Sequence, residues 1–147
     1  HECSSAASDV YKRQVEDDES GTTYAFSTRH MDWPQAQDWC AKQGMTLATI
    51  NDADENALLH RLVWGETGSD GLLGNPAWIG YHNDGISWFW DSGEESTFEN
   101  FSGDVITDDW GTATYGQSAA FADMDEATWQ EAPGNWYYTA ICESPAP

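Results

Sequence analysis

From residue 22 onward, short apolar runs alternate with polar breaks, and their spacing predicts two helices followed by a series of strands. Residues 22–27, TTYAFS, are β-prone and aromatic and read as an entering strand. In DWPQAQDWCAKQG the residues Ala36, Trp39 and Cys40 fall on one helical face. Asp32 is the N-cap candidate, Gln35 stands three residues on, Pro34 suits the first turn and Gly44 lies past the end. MTLATI, residues 45–50, reads as a buried strand or an extended link. NDADENALLHRLVWG opens a second helix, with Asp52 and Glu55 at capping-box spacing and Gly65 as its stop. Leu58, Leu59, Leu62 and Val63 form its expected buried stripe.

Past Gly65 the pattern changes to glycine-punctuated loops and short strands: AWIGYH, SWFWDSG, AAFADM and NWYYTAICE. Alternation places Trp88 and Trp90 on one face and Phe89 on the other. Two helices followed by antiparallel strands is the order of an α+β domain. Between the strands, residues 93–118 carry few aliphatic side chains and many oxygens, and a connection of that length inside a compact domain is usually functional or disordered. No repeat or linker divides the chain, so one domain over 15–147 is expected. Residues 1–14 are set aside as a non-native-looking or disordered lead, because SSAASDVYKRQ looks like translated adapter sequence.

Composition narrows the class. Nine Trp, six Tyr and five Phe with 13 Gly favour a sheet-rich or mixed core over a helical bundle. A formal charge of -21 repels phosphates and anionic lipid, which sets aside nucleic acid and membrane partners. No apolar run is long enough for a membrane-spanning helix. Outside the lead the histidines are His30, His60 and His82; none sits in a catalytic motif, and each reads as a surface or boundary residue. Zinc spacings, phosphate loops and thiol redox motifs are absent, and 26 acidic residues make any carboxylate pairing unspecific, so no enzyme is expected. Calcium is the better cofactor candidate, since a hard cation takes about 6–8 oxygen ligands. DADENALLHRL lacks the glycine of an EF-hand loop, so a calcium site here needs separated segments. With Cys3 in the lead, Cys40 and Cys142 remain as an even pair. One long-range disulfide is the simplest reading, and two buried free thiols are the alternative.

Taken in order, these pieces resemble a C-type lectin-like domain over about residues 22–145. The resemblance rests on Tyr24 and Phe26, on Trp33, Ala36 and Cys40 at Trp-x-x-Ala-x-x-x-Cys spacing, on LATI before Glu55, on WIGY (78–81), on WFW (88–90) and on ICE (141–143). It implies two helices packed on antiparallel sheets, a disulfide from Cys40 to Cys142, and a secreted or cell-surface setting. Residues 93–118 become the ligand-binding loop region, where calcium in many members coordinates sugar hydroxyls.

Position by position, the resemblance gives Asp108, Asp109, Gln130 and Glu131 as loop calcium ligands. Asp108, Trp110, Tyr115, Gln130 and Glu131 are candidate ligand contacts. A structural calcium site is implied at Thr49, Asn51, Glu55 and Glu143. The chain departs from the family pattern in three places. The Glu-Pro-Asn or Gln-Pro-Asp triplet has no counterpart, as there is no proline between 77 and 132. Trp129-Gln130-Glu131 stands where the family has Trp-Asn-Asp, each ligand arm one methylene longer. The second family disulfide falls at about Ala120 and Gly134, which marks a short form of bacterial or environmental type. The expected function is a binding module for a glycan, through calcium, or for a cell-surface protein or other surface without calcium and without sugar, as an adhesion module.

Overall fold

The computed structural model describes residues 11–67, 70–105 and 116–144. Its strands are β1 (Lys12–Glu16), β2 (Thr23–Met31), β3 (Thr46–Leu47), β4 (Ala77–Asn83), β5 (Trp88–Trp90), β6 (Phe101–Val105), β7 (Gln117–Phe121), β8 (Trp129–Pro133) and β9 (Tyr138–Ser144). Helices α1 (Trp33–Ala41) and α2 (Ala53–Trp64) lie in the first half of the chain, so helices precede most strands as the α+β reading requires. The strand order is β1-β2-β9-β4-β7-β8-β6, with β3 added on β9 and β5 on β4. The sheet is mixed rather than antiparallel: β4 runs parallel to β9, and β6 parallel to β8. Parallel neighbours require a crossover between them, which hydrophobic alternation within single strands does not reveal. β1 pairs with β2 from Lys12, so Lys12, Arg13 and Gln14 of the set-aside lead sit in the sheet.

Both helix starts follow from their caps. Asp32 accepts from the Gln35 amide (2.8 Å), while the Gln35 side chain accepts from the Asp32 amide (3.0 Å), a complete capping box. At α2, Asp52 accepts from the Glu55 amide (2.8 Å), but the Glu55 side chain reaches Asn51 rather than closing the box.

Period-two alternation sorts the strand residues onto two apolar faces. Tyr24, Phe26, Ile79, Phe121 and Ile141 pack with Leu59 and Val63 of α2. Ala25, Trp78, Ala120, Ala140 and Cys142 pack with Trp33, Ala36 and Cys40 of α1. Three alanines on the second face leave room for α1 to approach closely. The Cys40–Cys142 disulfide lies between α1 and β9, with Cα atoms 5.5 Å apart. In β4, Gly80 meets the 45–50 segment: a Cβ there would stand 2.7 Å from the Leu47 carbonyl oxygen and 2.9 Å from that of Ala48. The WIG glycine is therefore a packing requirement.

The α2 stripe differs from expectation. Leu59 and Val63 are buried, but Leu58 and Leu62 are half-buried, and Asn56 is 3% exposed on the core side. His82, expected near the surface, is buried, stacked on the Trp33 indole at 4.0 Å, and bonded through Nδ1 to Ser118 Oγ at 2.6 Å. A Trp-rich interior gives an imidazole a flat partner, and the β7 hydroxyl satisfies its polar edge.

Candidate functional site

Two regions gather the candidate residues. The first lies where β9 meets α2. Glu143 pairs with Tyr24 across β2 and with Thr46 across β3, and only 6% of it is exposed. Its carboxylate accepts a hydrogen bond from the Thr49 backbone N–H. Glu55 accepts from the Tyr24 hydroxyl at 2.6 Å and from the Asn51 backbone N–H at 2.8 Å. Thr49 Oγ1 lies 2.6 Å from Ser92 Oγ, which in turn donates to Glu94 at 3.1 Å.

Burial pushes the Glu143 carboxyl up to about 8; the Thr49 N–H acts in the opposite direction, and the carboxylates of Glu55 and Glu94 push it further up. Burial and the Glu55 bond likewise raise the Tyr24 phenol. The charges acting on Glu143 are all negative. At neutral pH a proton therefore sits on this carboxyl, and a divalent cation would compete with it. The donor chemistry fits a hard cation, since Thr49, Asn51, Glu55 and Glu143 offer oxygen in every case. Two carboxylates alone do not complete a shell: among the described residues no three His, Cys, Asp or Glu side chains are grouped to hold a metal. Backbone carbonyls, hydroxyls and water would supply the remainder.

The second region is the β6–β8 end. Asp108, Asp109, Trp110 and Tyr115 lie outside the described residues. Gln130 and Glu131 lie within β8, a strand separate from β9, which carries Cys142. Gln130 is 7% exposed, and its side-chain oxygen accepts from the Ala122 backbone N–H at 3.0 Å. Glu131 is half-buried, pairs with Ala119 of β7 and with Val105 of β6, and burial raises its carboxyl above the ordinary range.

Trp129 is fully buried, edge-on to Trp90 (5.6 Å) and Phe101 (5.4 Å). Its indole N–H donates to Asn56 Oδ1 at 2.7 Å. Where the 106–115 segment rejoins β7, Gly116 has φ +73°, and a Cβ there would meet the Asn83 carbonyl oxygen at 2.3 Å and the His82 ring at 3.1 Å. Asn56 and His82 were not singled out in the sequence as site residues. The available signal was a polar residue at a position where α2 or β4 otherwise faces the core.

Among the described residues, a nine-stranded mixed sheet with two helices and the Cys40–Cys142 disulfide, carrying its polar candidates on β8 and β9, defines a C-type lectin-like fold. The sequence profile of the lectin C-type domain matches residues 29–144, and the chain belongs to that family. It is similar to the type-2 ice-structuring protein of Osmerus mordax, 28% identical over 134 residues, covering 86% of this chain and 67% of that one. Ovocleidin-17, a major protein of the Gallus gallus eggshell calcified layer, shares the fold with a TM-score of 0.71 at 24% identity, over 90% of this chain and 96% of that one. A Ca2+-dependent type II antifreeze protein in its Ca2+-free form gives 0.69 at 22% identity, over 89% and 96%. Among the described residues no helix is long and apolar enough to cross a membrane.

Proposed function

We propose that the domain is a non-catalytic, secreted or cell-surface binding module. Its ligand face is the β6–β8 end, and recognition does not run through a calcium ion held by Gln130. The observation that carries this is the Gln130 side chain: its oxygen is committed to the Ala122 N–H and 93% of the residue is covered, so it is turned into the sheet rather than toward an ion. The ligand is then a cell-surface protein or an extended solid surface, met without sugar chemistry. Similarity to a relative named as an ice-structuring protein supports including ice among the surfaces tested. Calcium enters this reading as a structural ion at Thr49, Asn51, Glu55 and Glu143.

A second reading is calcium-dependent carbohydrate recognition through Asp108, Asp109, Gln130 and Glu131. Glu131 favours it, because its half-buried carboxyl is raised by burial with no cation among the described residues offsetting that cost.

A glycan array with and without chelator, an ice-recrystallisation assay and calorimetric calcium titration separate the two. The first reading expects no chelator-sensitive glycan hits, and a calcium-induced rise in Tm that persists in Gln130→Ala and Glu131→Ala but is lost in Glu55→Ala. Chelator-sensitive glycan binding that Gln130→Ala abolishes would establish the second reading instead.

A further inference from the structure

The polar residue in the α2 stripe has partners that belong to the ligand end. Asn56 Nδ2 donates to the Ala127 carbonyl oxygen at 2.6 Å, and Asn56 Oδ1 accepts from the Trp129 indole at 2.7 Å. The indole nitrogen only donates and the carbonyl only accepts, so the orientation of the carboxamide follows from its partners. From the other side, Asn100 Nδ2 donates to the same Ala127 oxygen at 2.7 Å, and the Asn100 carbonyl accepts from the Trp129 backbone N–H at 2.9 Å. Asn100 immediately precedes β6, which leads into residues 106–115; Trp129 opens β8 directly before Gln130 and Glu131. A single carbonyl thus joins the roots of both segments, and a helix side chain holds it. Ring contacts centre Trp129 in the core, but the bond to Asn56 fixes which way its N–H edge points.

We infer that Asn56 is a positioning residue of the ligand face: from α2 it holds the root of β6 against the start of β8, so that Glu131 is presented beside β6 in one arrangement. This rests on the reading of the β6–β8 end as the ligand face. The requirement is for a group that donates and accepts at once, which a carboxamide meets. Aspartate would set an oxygen against the Ala127 oxygen, and leucine would leave the buried Trp129 indole N–H without its bond and the Ala127 carbonyl with Asn100 alone.

Hydrogen exchange on the full chain tests the inference with Asn56→Asp and, should that variant not fold, with Asn100→Ala. The amide of Trp129, bonded to Asn100, and that of Ala122, bonded to Gln130, report the ligand end. The amides of Ala48 and Gly80, bonded to Ile141 and Ala48, report the rest of the sheet. Protection at Trp129 and Ala122 is expected to fall at least tenfold more than at Ala48 and Gly80. An equal fall at all four sites would mean that Asn56 only supports global stability and would overturn the inference, as would no fall anywhere. Binding distinguishes this from failure of the underlying reading, using whichever probe of the glycan array or ice assay is positive. If Glu131→Ala leaves that binding intact, the ligand face lies elsewhere. If Glu131→Ala abolishes it while Asn56→Asp weakens it less than fivefold, the face is correct and the positioning role is wrong.

Discussion

At the scale of single residues, the interior contains titratable groups whose environments fix their charge. His82 is held neutral: burial lowers its pKa, with Asp84 and Asp91 pulling weakly the other way. Because the folded value lies below the unfolded one, its contribution to stability is present above about pH 6.5 and is lost as pH falls through the folded value. Thermal melts from pH 8 to pH 4 are expected to show this loss, and His82→Phe to flatten it, since Phe keeps the stack on Trp33 without a proton to gain. Glu143 has the opposite sense, being raised to about 8. Glu143→Gln is therefore expected to cost little stability at pH 7 without calcium and to lose the calcium-induced rise in Tm, measured by scanning calorimetry. The carboxamide cannot acquire the charge that a cation would neutralise. Neither group's burial could be read from the sequence. Glu143 follows a cysteine at the end of an apolar run, and His82 comes near the end of a strand, where a solvated tip was the simpler expectation.

At the scale of elements, the local signals were legible wherever a short-range rule decides the outcome. Both helices start at their capping aspartates, and α1 closes the full box that Asp32 and Gln35 announce. Asp32→Ala is expected to cost about 1 kcal/mol, read from denaturant midpoints at constant m-value. Gly80→Ala should cost more, about 2–4 kcal/mol, as the added methyl meets two backbone carbonyls that cannot rotate away. What the sequence did not reveal was pairing between distant segments. The parallel contacts β4–β9 and β6–β8 depend on chain crossovers, and the first three residues of β1 fall in the lead set aside as non-native-looking or disordered. Asn56 is of the same kind: it was not among the stripe residues expected from the sequence, and its partners stand 71 and 73 residues away. Of the candidate site, Thr49, Asn51, Glu55 and Glu143 are brought together, and Gln130 and Glu131 share a strand in which the Gln130 side chain is bonded to the Ala122 N–H.

At the scale of the whole molecule, the resemblance to a lectin domain specified the fold because its motifs record long-range packing: Gly80 under the 45–50 segment, Trp33 donating to the Ile79 carbonyl at 3.0 Å, and Cys40 facing Cys142. Removing the disulfide by a double Cys40→Ala, Cys142→Ala substitution is expected to lower stability by about 4–5 kcal/mol on the chain-entropy estimate, checked by urea unfolding. The same bond also directs mechanical load. Thr23 and Ser144 are register partners on adjacent strands, so a pull applied at these two residues peels β2 from β9 rung by rung. Two rungs on, at Ala25 opposite Cys142, the chain being pulled is tied covalently to Cys40. Tension beyond that point passes through sulfur, and everything between the two cysteines, including Thr49, Asn51, Glu55, Gln130 and Glu131, lies outside the load path, whereas Glu143 lies on it. In single-molecule pulling, reduction should therefore release about 350 Å of additional contour, the length of the 102-residue span at about 3.5 Å per residue. The oxidised domain, tethered in a stretched chain, would keep its binding face folded while its edge yields.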